Sequence, residues 1–172
     1  MRKTFVFVTI LLFLGVFSVS AAPINVFGNV GIALDDLEGL FFDIGAERQL
    51  SGPWWAQVVV DYYLNPSGED MPVGVNDSAY GGYLYGVYKY AMNPKTNFFI
   101  KGGFGYTTLK IAAMGLSVTE SAFGLGAGAG FEYKIGPKMA ILAGATYKSM
   151  FFEGETGTTF KLYGGFSYQV GQ

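Results

Sequence analysis

The chain contains no cysteine and no histidine. The first absence excludes a disulfide framework and thiolate metal sites. The second removes the usual side chain for proton transfer at neutral pH and the commonest metal ligand. Charge is also scarce, at 14% of residues against roughly 25% in an ordinary soluble domain. Proline numbers only 6 among 172 residues. No apolar run is long enough for a membrane-crossing helix, which needs about 20 residues, and no helical period of 3.6 is sustained after Ala21. A basic nucleic-acid footprint is missing too. What the chain has is glycine (26 residues), aromatic residues (17%) and apolar residues (51%).

The first residues carry a secretory pattern. Arg2 and Lys3 precede the apolar run Phe5 to Phe17, and small residues follow in "SVSAA". Cleavage is expected after Ala21, which divides the chain into a signal peptide (1–21) and one mature domain (22–172). The mature domain carries nine cations, Arg48 and eight lysines, against thirteen acids, a net charge of −4.

In "FGLGAGAGFEY", glycine occupies positions 124, 126, 128 and 130. A phosphate-cradling loop needs G-x-G-x-x-G or G-x-x-x-x-G-K-[ST], and neither spacing is present. A silk-like stack would share the period of two, but so does an ordinary strand, whose alternate residues face opposite sides. One face of this strand is then Gly124, Gly126, Gly128, Gly130 and Glu132. The other is Phe123, Leu125, Ala127, Ala129, Phe131 and Tyr133. Two explanations of the bare face stand together: space for longer side chains from facing strands, and tight curvature.

The same period recurs eight times. Strands are predicted at about 24–34, 39–48, 54–64, 79–91, 97–109, 121–134, 139–151 and 159–170. Their lengths suit a tilted crossing of a bilayer, which takes about 9–11 residues, better than the 5–6 of an average globular strand. Aromatic residues cluster near the strand ends, as interfacial girdles require, while charges fall mid-strand on the polar face. The fold class is therefore all-β: an eight-stranded antiparallel up-and-down transmembrane barrel, preceded by a cleavable signal peptide. A soluble barrel of the same strands would turn its apolar face inward and need a more charged exterior. Connections after strands two, four and six are short ("QLSGP", "NPKT", "IGPK"). Those after three ("PSGEDMPVGVNDS") and five ("KIAAMGLSVTE") are expected to be long outer loops. That parity places both termini in the periplasm.

Strand count, loop parity and facing make the mature chain resemble the small eight-stranded outer-membrane barrels of the OmpA/OmpX and opacity-protein-like type. The resemblance implies location in the outer membrane of a Gram-negative-type envelope, with outer-membrane lipids and the barrel-assembly machinery as partners. It also implies an assembly signal in the last strand. The pattern is a polar residue, glycine two later, and hydrophobic residues five and seven later; Tyr163, Gly165, Tyr168 and Val170 match it. No peptidoglycan-binding segment follows these strands, so no wall-tethering role is implied.

Charges sort by position. Asp35, Asp36, Glu38, Glu69, Asp70, Asp77, Glu120, Glu153 and Glu155 fall in or beside the outer loops, opposed there by Lys110 alone. Arg48, Lys95 and Lys138 fall in the short turns. The acidic rim is a candidate site for divalent cations, and it is equally what solvated loops need to stay soluble. No loop has calcium-hand spacing, and no cofactor is expected. The triplet Asn76-Asp77-Ser78 is a chance match to a glycosylation motif. The remaining charges face the lumen in two expected layers: Asp43, Asp61, Lys148 and Lys161 toward the outside, Glu47, Glu132, Lys89 and Lys101 toward the periplasm, with Lys134 below. Charges in a narrow lumen must pair or be hydrated, so these layers are expected to plug it.

Function then falls into four classes. A non-enzymatic barrel of structural or interaction type leads. A narrow porin-like channel for ions or small solutes and a surface adhesin follow. A lipid-modifying outer-membrane enzyme comes last, because such enzymes lean on a histidine base.

Overall fold

The computed structural model describes residues 23–67, 78–113, 116–153 and 155–171. Eight strands follow one another: β1 (Ile24–Asp35), β2 (Glu38–Ser51), β3 (Trp54–Ser67), β4 (Ser78–Asn93), β5 (Thr96–Ala113), β6 (Leu116–Lys134), β7 (Met139–Phe151) and β8 (Thr156–Val170). Each pairs antiparallel with its neighbours in sequence, and β8 closes on β1 from Ile24↔Val170 to Asp35↔Thr159. No strand edge is left open along the shared span, which is the condition for a sheet to sit in lipid. No helix among the described residues is long and apolar enough to cross a membrane.

Alternation sets the facing. Ile44 is 66% exposed, Val30 62%, Phe166 60% and Ile100 50%, while Asp61 and Phe41 are fully buried. In water such an exterior would be a collapsed core turned inside out; against acyl chains it is ordinary. β4, aromatic on both faces, follows Lys89: Ala79, Tyr83, Tyr85 and Val87 are buried with it, and Tyr80 and Tyr90 are exposed.

Two expectations are corrected. The eleven residues after predicted strand five do not form a long loop. β5 continues to Ala113 and β6 begins at Leu116, paired through Lys110↔Thr119, Ile111↔Val118 and Ala113↔Leu116. β-Branched Ile111, Val118 and Thr119 favour this extended backbone, and pairing there requires no lipid. Arg48 does not stand in a turn. β2 runs on to Ser51, and the turn is confined to Gly52–Pro53, where Gly52 takes φ +52°. Arg48 pairs in register with Ile24 and Ala56 and is buried. The predicted signal segment, and Glu69, Asp70 and Asp77 of the acidic rim, lie outside the described residues.

Candidate functional site: the lumen and its two rims

Eight strands enclose an interior that side chains can just fill, so polarity and size there decide what passes. Two ionic layers occupy it. In the outer layer the Lys148 ammonium donates to Asp61, and Lys161 Nζ lies 3.3 Å from Asp61 Oδ2 and 3.4 Å from Asp43 Oδ2. Asn29 Nδ2 donates to Asp43 Oδ1 at 2.6 Å. In the periplasmic layer Lys89 donates to Glu47 and, at 2.6 Å, to Glu132 Oε2. Asn25 and Asn97 donate to those two carboxylates at 3.0 and 2.7 Å. The side chains of these ion pairs are at most 7% exposed. Each charge in these two clusters thus has a partner of opposite sign, the arrangement that makes burial tolerable.

Lys101 differs. No carboxylate among the described residues lies within salt-bridge distance of it. Its ammonium sits 4.9 Å from the Tyr85 ring centroid and 5.0 Å from that of Tyr163. Cation–π contacts recur through the lumen, with Lys148 3.7 Å above Tyr83, Lys161 3.9 Å from Phe41 and Lys89 4.4 Å from Trp55. Each attraction is strengthened by desolvation.

The glycine stripe is where this aromatic layer fits. Tyr83 and Tyr85 of β4 stack at 5.8 Å with planes 14° apart. Their rings lie across β5 onto β6. A Cβ on Gly126 would come 2.7 Å from the Tyr85 hydroxyl, and one on Gly124 would come 2.5 Å from that of Tyr83. A Cβ on Gly130 would meet Phe99 at 2.6 Å, and one on Gly128 would crowd Lys101 Cε at 3.1 Å. None of the four has a positive φ. At Gly124 and Gly126 the space goes to facing tyrosines; at Gly128 and Gly130 a Cβ would also run into the β7 carbonyls of Ala145 and Ala143, at 2.5 and 2.4 Å, so close backbone approach requires glycine there as well. The lumen-facing tyrosines and asparagines escape a reading that follows charge alone; the signal that finds Tyr83 and Tyr85 is the bare glycine face itself.

Between the layers lies a small void of about 10 Å³, bordered by Asn29, Glu47, Gln57, Lys89, Lys101 and Glu132 among others. That is about the space of a single water.

The rims carry opposite signs. Asp35, Asp36, Glu38, Glu120, Glu153 and Glu155 are exposed at the rim opposite the termini, with Lys110. Asp36 is also a structural brace: its Oδ2 accepts from Thr158 N at 2.6 Å, tying the β1–β2 turn to the start of β8. No three acids among the described residues converge on a common point as metal ligands would. At the rim holding the termini, Lys95, Lys134 and Lys138 are exposed. In β8, Tyr163 turns into the lumen while Tyr168 and Val170, each 49% exposed, turn outward. Gly165 packs against Asn29, where a Cβ would come 2.8 Å from the Asn29 Cα.

This geometry has close counterparts. The model of the family described as outer membrane protein beta-barrel domain matches residues 9–171. Neisserial surface protein A superposes with a TM-score of 0.71 at 14% identity, covering 88% of this chain and 98% of its own. A major outer membrane protein of Thermus thermophilus gives 0.68 at 13% identity, covering 88% and 100%. The attachment invasion locus protein Ail of Yersinia pestis gives 0.52 at 16% identity, covering 86% and 97%, and is also known in complex with the heparin analogue sucrose octasulfate. No curated protein sequence matches the chain. A closed eight-stranded barrel with an apolar exterior, matched over nearly its whole length, makes this chain a member of the outer-membrane β-barrel protein family, located in the outer membrane.

Proposed function

We propose that the barrel is a non-enzymatic outer-membrane protein of structural or interaction type whose lumen is plugged by its own side chains. The observation that supports this reading is the crowding of the interior: two ion-paired layers, the stacked Tyr83 and Tyr85, and a void of only about 10 Å³ beside Lys89 and Lys101. A hydrated ion or solute needs a continuous path many times wider. To open one, both layers would have to break buried pairs, at about 3–5 kcal/mol for each partner removed. The working surfaces are then the rims and the lipid-facing wall. The outer rim, with six exposed acids among the described residues, attracts cations and is suited to divalent ions bridging anionic headgroups. The same sign disfavours a polyanionic ligand of the kind Ail holds. In β8, Tyr163, Gly165, Tyr168 and Val170 serve as the recognition signal for the assembly machinery.

The test is conductance in planar bilayers. The wild-type barrel is expected to give no steady openings, and a variant that combines Tyr85→Ala with loss of a pair from each layer (Asp61→Ala with Lys148→Ala, Glu47→Ala with Lys89→Ala) is expected to give small discrete ones. Steady openings from the wild type would select the narrow-channel reading instead.

A further inference from the structure

Lumen glycines have occupants; the outward glycines of β4 and β5 do not. A Cβ on Gly102 would meet nothing within 4 Å, and one on Gly86 would meet only a carbonyl oxygen at 3.9 Å. A Cβ would fit at both positions, and glycine in a strand sacrifices packing and costs entropy. Gly86 and Gly102 face each other across the strands. Elsewhere outward glycines face larger residues: Gly28 faces Ile44 and Phe166, and Gly82 faces Val60 and Tyr106. The glycine pair floors an open concavity of about 470 Å³ walled by Trp54, Tyr88 and Ile100. Lys101 also borders it, but its ammonium points the other way, onto the lumen tyrosines.

The walls resemble a lipid seat. Trp54 and Tyr88 meet edge to face, with centroids 5.1 Å apart, and both side-chain types favour the level where apolar and polar regions meet. A notch in this wall cannot stay empty, because its lining would forfeit dispersion contacts. The headgroup end is also defined. Exposed Lys95, Lys134 and Lys138 stand at this rim, and its acids Glu47 and Glu132 are buried on Lys89. Seven positions separate Gly102 from Lys95, about 16 Å along the membrane normal for a strand tilted near 45°. That is close to the depth of one leaflet's hydrocarbon, about 15 Å.

The geometry points to a lipid site: one acyl chain of an anionic phospholipid of the periplasmic leaflet lies in the Gly86–Gly102 notch, its phosphate toward Lys95. This assignment rests on the membrane location alone and is independent of whether the lumen conducts.

The test uses the full barrel reconstituted in vesicles of equal parts phosphatidylglycerol and phosphatidylethanolamine with matched chains, extracted in mild detergent, and weighed intact by native mass spectrometry. Wild type is expected to retain one phosphatidylglycerol. Gly102→Leu, whose Cβ would meet nothing within 4 Å and whose side chain would occupy the notch, should lower retention at least fivefold while the barrel still shows heat-modifiable gel migration. Gly82→Leu, outside the notch, should leave it unchanged. Lys95→Gln should erase the preference for phosphatidylglycerol. Equal retention by wild type and Gly102→Leu, equal loss in Gly82→Leu, or retention of both lipids alike by wild type would overturn the assignment.

Discussion

Asp61 anchors the outer ionic layer, and Asp61→Asn isolates its contribution. The carboxylate is fully buried and accepts from Lys148 and Lys161. Asparagine keeps the shape and removes the charge. Lys161 retains Asp43 at 3.4 Å. Among the described residues Lys148, 2% exposed, keeps only the Tyr83 and Tyr63 rings, at 3.7 and 5.9 Å. Breaking one side of a buried pair costs about 3–5 kcal/mol. A desolvated cation–π contact returns up to about 2 kcal/mol, but it is present already in the wild type, so it limits relaxation rather than offsetting the loss. The expected destabilisation is about 3 kcal/mol, a large share of the roughly 5–15 kcal/mol that holds a domain folded. Urea titration in lipid vesicles, followed by Trp54 and Trp55 fluorescence and by gel mobility, measures it. The double variant Asp61→Asn with Lys148→Met should recover most of the loss, since no unpaired charge remains. A single variant within 1 kcal/mol of wild type, or a double variant no better than the single, would refute the claim that pairing is what makes these charges tolerable.

Other perturbations probe other layers. Gly103→Val drives a Cβ into the Leu84 carbonyl and to 2.8 Å from the Tyr85 Cα, so no heat-modifiable folded band should form. Gly126→Ala meets only the movable end of Tyr85, and the barrel should fold with about 1–3 kcal/mol lost, read by the same urea titration. Leu125→Arg puts a cation on the lipid face and should cost about 2–4 kcal/mol in that assay, whereas Thr119→Arg, beyond the apolar band, should cost under about 0.5 kcal/mol. Asp36→Ala removes the acceptor of the Thr158 amide, and hydrogen exchange at that amide should accelerate while the ion-paired lumen is unaffected.

The sequence by itself determined the architecture. A side-chain period of two is a local property of extended backbone, so eight alternating segments gave the strand count and which residues share a face, while strand length and scarce charge pointed the apolar face to lipid. Glycine at every second position of β6 likewise announced a face with no side chains of its own. Tertiary structure decided what a period cannot encode. Lys148 and Asp61 lie 87 positions apart, and their contact follows from barrel register and closure, not from either strand. The occupants of the glycine face, Tyr83 and Tyr85, arrive from β4 for the same reason. Local chemistry misplaced the strand ends. The mixed stretch from Lys110 to Glu120, without clean alternation, reads as a loop, yet β5 continues to Ala113 and β6 begins at Leu116 because interstrand hydrogen bonds do not require a bilayer. Arg48 reads as a turn cation and is buried in β2. The notch at Gly86 and Gly102 exists only where register sets two glycines side by side, a fact distributed over two strands and visible in neither.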